Sequence, residues 1–375
     1  MRVVGINLIC IRSNKLSGIG HFAKRYFMEM ARLDLSEFHF IIYKQKSVDS
    51  AVFCFPENAS YEIVNVPDLD GGAGLAIFEQ TFFYFYLKKC DVMWSPNATS
   101  PWFGKRKKII SILDIYPIID SKTYRPWKRF WAKVLIKLNA RAASTIVTIS
   151  ECSRKDIIEV LHVKPSKIRL LYCFISTDEI EEIKEKVPSN IITISGRVNE
   201  LKKPYFLAVS VIKPIKNYEG LIQAFAVFKK IHPEYTLYVV GSKGWGFEKV
   251  FELVEEYQLK DSVVFTGYIS TDDINSLYCG CQATVLPSFY EGFGYTPLEG
   301  FYRGKATIAS FTSSIPEVVG EAGIYINPED INSIVGGLEK GAGELTVYED
   351  KIAEQTSKFD AQIITKGFLS LLNDK

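Results

Sequence analysis

The chain has 375 residues, about twice the length of an ordinary domain, so two domains that each bury a core are expected. An apolar share of 47% and a charged share of 23% exclude a disordered chain. Lys and Arg number 45 against 43 Asp and Glu, and a net charge of +2 gives no global case for nucleic-acid binding.

In chain order, short apolar runs rich in β-branched residues predict strands at 3–6, 38–43, 91–94, 109–113, 145–149 and 168–172, with helical patterns between them. Met1-Arg2-Val3-Val4 leads straight into the first of these, without a leader pattern. The densest apolar stretch, 77–87, is interrupted by Glu79 and Gln80 and is too short to span a bilayer. The rhythm restarts with strands at 206–211, 237–240, 263–265, 283–286 and 307–309, and with a helix at 217–231. Apolar strands alternating with helices predict parallel sheets covered on both faces, hence an α/β fold of two Rossmann-like, doubly wound domains facing a cleft. A charged stretch at 177–186, followed by Pro188-Ser189-Asn190, reads as the connection. The expected domains are 1–198 and 199–358, with a C-terminal helix at 359–375 packing back on the first.

Seven scattered cysteines read as reduced core thiols of a cytosolic protein, and no ligand cluster predicts a metal site. Asp68-Leu69-Asp70, beside Gly71-Gly72, reads as a turn. Between Lys105 and Arg141 the chain is rich in Lys and Arg and opposed only by Asp114 and Asp120. Within it, 125–137 places Trp127, Phe130 and Trp131 among Lys128, Arg129, Lys133 and Lys137 on a predicted helix. Two readings stand: a helix lying on an anionic membrane surface, or a solvated face over a core stripe.

The most informative segment is Pro287-Ser288-Phe289-Tyr290-Glu291-Gly292-Phe293-Gly294-Tyr295-Thr296-Pro297-Leu298-Glu299-Gly300, which follows a strand and opens a helix near Pro297. Gly292 and Gly294 let the backbone approach a ligand, and the free N–H groups of the helix start suit an anion. Glu291 and Glu299 put two carboxylates at that turn, suited to sugar hydroxyls and a ribose diol. Taken alone, Gly-x-Gly with a carboxylate fits an ordinary capped loop equally well.

The segment resembles the Glu-x7-Glu signature of the retaining GT-B glycosyltransferases, the glycosyl transferases group 1 that include polysaccharide mannosyltransferases. Other segments resemble the family in its order: Leu16-Ser17-Gly18-Ile19-Gly20-His21, Ser150-Glu151-Cys152-Ser153, Lys213-Pro214-Ile215-Lys216-Asn217, Val240-Gly241-Ser242-Lys243-Gly244-Trp245, Phe265-Thr266-Gly267-Tyr268 and Ser313-Ser314-Ile315-Pro316-Glu317. The resemblance implies that Glu299 holds the ribose and Glu291 the donor sugar, and that Lys216 neutralises the leaving phosphate. It places the backbone of Gly292, Phe293, Gly294, Tyr295 and Thr296 on the sugar and diphosphate, and Gly241, Lys243, Gly267 and Tyr268 around the nucleotide. Gly18, Gly20, His21 and Asp114 belong to the phosphate and acceptor loops.

The implied substrates are a nucleotide sugar, GDP-mannose ahead of UDP-sugars, and a glycan or lipid-linked oligosaccharide, with no further cofactor and no metal. The implied place is the cytoplasm, peripheral to the inner face of the cell membrane. Two departures stand out. Val211 occupies the position where many relatives carry a phosphate-clamping Arg, leaving Lys213 or Lys243 to supply the charge, and Leu113 precedes Asp114 where relatives often have His. The alternatives are an epimerase or phosphorylase on the same fold, and a non-catalytic binding subunit.

Overall fold

A computed structural model describes residues 1–14, 16–69, 71–104, 106–120 and 126–374. The chain divides into two compact units. The first comprises Met1–Asp178 together with Asp360–Lys375, and the second Glu179–Phe359.

Seven parallel strands form the sheet of the first unit: β1 (Arg2–Asn7), β2 (Phe38–Gln45), β3 (Ser60–Val66), β4 (Val92–Ser95), β5 (Lys107–Ser111), β6 (Thr145–Thr148) and β7 (Ile168–Leu170). Their order is β3-β2-β1-β4-β5-β6-β7. The strand direction of travel reverses at β1 and β4, and the carboxyl ends of these two strands flank the switch point where ligands bind in open α/β sheets. The C-terminal helix Ala361–Asn373 belongs to this unit because Phe368 enters its core, 4.6 Å from the Trp94 ring of β4 and 4.7 Å from Tyr26 of the Gly18–Met30 helix.

After the Thr177–Glu185 helix, the second unit has an antiparallel hairpin, β8 (Ile191–Ile194) and β9 (Arg197–Glu200), which straddles the domain boundary expected at 198/199. It joins the second unit because Ile192 and Leu201 pack with Tyr205, Tyr238 and Leu277 in one apolar cluster. Six parallel strands follow: β10 (Tyr205–Val209), β11 (Thr236–Val240), β12 (Val263–Gly267), β13 (Ala283–Leu286), β14 (Thr307–Ser310) and β15 (Gly323–Ile326), in the order β12-β11-β10-β13-β14-β15. The switch point lies between β10 and β13. Leu286 pairs with Ala309, so the chain leaves β13 and β14 side by side.

The continuous apolar strands lie at or near their expected positions. β3 and β15 were not expected: β3 is an edge strand whose residues are mostly half-exposed, so it carries no unbroken apolar run. The thiols are a correction. Only Cys173 and Cys281 are buried, while Cys54 is exposed in a left-handed backbone conformation that closes a short 3-10 turn.

Candidate active site

Each predicted donor residue belongs to the second unit, and the sheet order explains why several of them meet. β10 and β13 are neighbours, so the loops leaving their carboxyl ends run together. Phe289 N donates to Ile215 O at 2.9 Å, tying the loop after β13 to the short Pro214–Lys216 turn. Asn217, with φ 54°, then caps the Tyr218–Ile231 helix through Gly220 N and donates to Pro328 O at 2.7 Å. Lys216 is thereby held on a turn fixed from both sides.

Its Nζ lies 2.6 Å from Glu291 Oε1, and Ser288 Oγ donates to the same oxygen at 2.8 Å. The two side chains keep only 22% and 12% of their exposure, so solvent screens this pair less than it would a surface pair. The backbone of Glu291 is also fixed: its N–H donates to Ser313 Oγ at 2.9 Å, and Ser314 Oγ donates to the carbonyl oxygens of Glu291 and Phe293 at 2.8 Å and 2.9 Å. Both serines come from the loop after β14.

The helix after this loop spans Tyr295–Phe301 and so begins earlier than Pro297. Gly294, at φ 105°, is its N-cap, a backbone state that L side chains rarely adopt. Thr296 Oγ1 donates to Val209 O at 2.8 Å, docking the helix start on the end of β10. Glu299 Oε2 accepts from Tyr278 OH at 2.7 Å, and Arg303 crosses the Tyr278 ring at 4.8 Å while donating to Glu299 O. Burial first, and then the Glu299 carboxylate, hold the Tyr278 hydroxyl well above its ordinary pKa, so it stays protonated and donates. No motif pointed to Tyr278 or Arg303. Both lie outside the signature, and their roles depend on the helix Thr271–Gly280 lying against Tyr295–Phe301.

Gly241, at φ 146°, ends β11, and a Cβ there would stand 2.1 Å from Ser210 O. The close approach keeps the loops after β10 and β11 together, with Ile212 paired to Lys243. Lys243 is therefore near the position of Val211, but its Nζ sits 5.0 Å and 4.5 Å from the ring centres of Phe247 and Phe251. Gly267, at φ 67°, closes β12, and Tyr268 beyond it is exposed.

The remaining predicted residues lie in the first unit. Gly18 and Asp114 line one cavity of about 460 Å³ with Asn97, Leu113 and Ile136. Asp114 Oδ1 accepts from Tyr116 N at 3.1 Å. Gly20 instead packs on Leu16, and His21 is exposed on the Gly18–Met30 helix. Asp70, Lys105, Lys122 and Arg125 lie outside the described residues, and Asp68 accepts from Ser47 N at 2.9 Å. Among the described residues no group of three or more His, Cys, Asp or Glu gathers as a metal site, and no helix is long and apolar enough to cross a membrane.

Residues 191–341, which carry the hairpin and all six strands of the second sheet, match the glycosyl transferases group 1 family. The chain carries a group 1 glycosyltransferase domain, and its two Rossmann-like units have the GT-B fold. It is similar to the serotype-specific mannosyltransferase WbdA of Escherichia coli, 29% identical over 299 residues. That match covers 74% of this chain and 34% of WbdA, so the chain spans about a third of that relative's length. It is also similar to the O-antigen chain mannosyltransferase RfbU of Salmonella typhimurium, 28% identical over 291 residues, covering 74% of this chain and 75% of RfbU. The HepE protein of Anabaena, solved with UDP and glucose, shares the fold at a TM-score of 0.72 and 16% identity, each chain covered in full.

Proposed function

We propose that this protein is a retaining glycosyltransferase that moves a hexose, mannose ahead of others, from a nucleotide sugar to a glycan or lipid-linked acceptor in surface-polysaccharide synthesis. The observation that carries this reading is the convergence of Lys216, Glu291 and the Gly294-capped helix at the switch point of the second sheet. The mannose preference rests on the names of the two bacterial relatives; a UDP-sugar donor is the competing choice.

In this reading Glu299 accepts from the ribose diol while Tyr278 holds its carboxylate in place. Glu291 accepts from hydroxyls of the donor sugar. The backbone N–H groups of Gly292 to Thr296 face sugar and diphosphate, with Gly241, Lys243, Gly267 and Tyr268 around the nucleotide. The anomeric C–O bond to phosphate breaks as the acceptor oxygen bonds to the anomeric carbon on the same face, and the acceptor proton passes to the departing phosphate oxygen. Lys216 leaves its pairing with Glu291 to neutralise that phosphate, a charge that grows only as the bond opens. Gly18, Gly20, His21 and Asp114 serve the acceptor and phosphate side.

Membrane contact through the Pro126–Ala142 helix fits a lipid-linked acceptor and a site on the inner face of the cell membrane. Ala140 is packed in the core and Ile136 lies against it, while Trp127, Phe130 and Trp131 point outward and are exposed, which favours the membrane reading over a solvated polar face.

The test is incubation with GDP-mannose and with UDP-sugars in the presence of lipid-linked and free glycan acceptors, with the product's anomeric configuration read by NMR. A glycoside that keeps the donor's configuration supports the reading. An inverted product ends the retaining mechanism, epimerised or phosphorolysed donor moves the protein to the other enzyme classes, and nucleotide binding without turnover makes it a binding subunit.

A further inference from the structure

Phe293 lies inside the loop whose backbone N–H groups are proposed to face sugar and diphosphate. Phe289, Tyr290, Glu291 and Tyr295 around it all keep contact with solvent, whereas Phe293 is 3% exposed. Its ring is the peg that seats this stretch of loop. Phe359, which is 1% exposed, meets the ring edge-on at 5.4 Å and 88°, and Tyr295 meets it at 5.4 Å. Gly294 follows at φ 105°, so the backbone has freedom to swing there, and the seat of the Phe293 ring decides where the neighbouring N–H groups point.

Phe359 is itself fixed on both sides. It is the last residue of the second unit, far outside the signature segment. Its N–H donates to Thr356 O at 3.0 Å, closing the end of the Glu349–Ser357 helix, which lies against Tyr295–Phe301. Gln355 of that helix is buried and donates through Nε2 to Glu317 O at 2.7 Å and Val318 O at 2.9 Å, which binds it to the Ile315–Val319 helix. That helix is capped at Ser314, whose Oγ grips the carbonyls of Glu291 and Phe293. Beyond Phe359, Asp360 Oδ1 accepts from Ile363 N at 2.8 Å at the start of the C-terminal helix. One frame thus holds the loop twice, with Ser314 on its carbonyls and Phe359 on its buried ring. Packed interiors transmit displacement, so emptying the seat should move the loop backbone.

We propose that Phe359 is a positioning residue for the diphosphate-binding backbone of Gly292 to Thr296, acting through the Phe293 ring. The inference rests on the donor-site reading and names a residue outside the signature that sets the geometry of that site. The full chain is titrated by calorimetry with GDP, GMP, UDP and UMP, as wild type and as Phe359→Ala, Phe359→Val, Phe359→Leu and Leu372→Ala variants. Leu372 is fully buried in the C-terminal helix of the other unit and serves as the control for lost stability alone. Phe359→Ala should weaken diphosphate binding about tenfold, the loss of one charge-assisted hydrogen bond, while monophosphate affinity changes by less than about twofold. Phe359→Leu refills most of the seat and should restore diphosphate affinity to within about twofold of wild type. Leu372→Ala should lower the melting temperature and leave the affinities for both kinds of nucleotide unchanged.

Equal losses for diphosphate and monophosphate overturn the proposal, and so does the same selective loss in Leu372→Ala, because the ring would then matter to stability alone. If Phe359→Ala does not fold, Phe359→Val should bind the diphosphate about threefold more weakly than Phe359→Leu, and equal affinity in those two overturns the proposal. A wild type that binds none of these nucleotides removes the donor-site reading and this inference with it. A wild type that binds a diphosphate, with unchanged affinity in every Phe359 variant, removes this inference alone.

Discussion

Lys216 and Glu291 stand 75 positions apart in the chain and 2.6 Å apart in the fold, each on a loop that leaves the carboxyl end of a neighbouring strand. In the ligand-free protein the two charges satisfy each other. A nucleotide sugar that takes up both, the phosphate on Lys216 and the sugar on Glu291, must separate them. Lys216→Ala should therefore lower kcat by about 100- to 1,000-fold, the loss typical of a group that stabilises developing charge, while nucleoside diphosphate affinity changes far less. Steady-state kinetics beside calorimetry decide it, since equal losses in both would make Lys216 a binding residue only.

Glu299→Ala should weaken nucleoside diphosphate binding by about 1.5 to 3 kcal/mol, because the ribose diol loses a charged acceptor. Tyr278→Phe should cost less, since it removes only the hydrogen bond that orients Glu299. Titration calorimetry should rank wild type, Tyr278→Phe and Glu299→Ala in that order of falling affinity. An unchanged Glu299→Ala affinity would remove this carboxylate from the site.

Replacing Lys128, Arg129, Lys133 and Lys137 with Ser should shift the protein from anionic vesicles to the supernatant, each charge contributing about 1 kcal/mol near the surface. The donor-induced thermal shift should remain, because the predicted donor residues belong to the other unit. Salt should imitate the substitution, as attraction to the surface decays over about 10 Å at 0.1 M ionic strength. Identical partitioning of variant and wild type at low salt would make the helix a solvated surface.

Glu79 is the buried acid most sensitive to pH. Burial pushes its carboxyl from 4.5 up to about 7, while the Thr99 and Asn7 side chains pull it down by less. The folded state thus holds a proton that the unfolded chain releases, and stability falls as pH rises from about 4.5 to about 7. Below that window the penalty is absent, and above it the penalty is complete, about 3 kcal/mol at most. Glu79→Gln keeps an oxygen for Asn7 Nδ2, which donates to Glu79 Oε1 at 2.6 Å. The variant should melt higher than wild type at pH 8 and equally at pH 4.5. A wild-type curve flat across that window would show that Glu79 ionises without penalty.

Much of this protein was legible in its sequence for a local reason. Strands such as β1, β10, β11 and β13 are buried along most of their length, so each is a nearly continuous apolar run, and their alternation with helices declares a parallel sheet. Glu291 and Glu299 drew notice because glycines, a proline and two carboxylates share one short segment, and Lys216 because its own segment resembles the family; the roles of all three are proposals. β3 was hidden because an edge strand is covered on one face only. The hairpin β8–β9 was hidden because it stands among the polar and proline residues that mark a connection, and only its contacts with Tyr205 and Tyr238 assign it to the second unit.

What only the tertiary structure decided is which distant groups meet. The pairing of Lys216 with Glu291, the serines of the loop after β14 on the Glu291 backbone, and Tyr278 on Glu299 all follow from strand order and register, which periodicity along the chain does not encode. The outward aromatics at Phe82–Tyr86 are of the same kind. Five consecutive aromatics do not say along the chain which of them face the core: Phe83 is buried, Tyr86 packs partly buried against Phe78, and Phe82, Tyr84 and Phe85 face water.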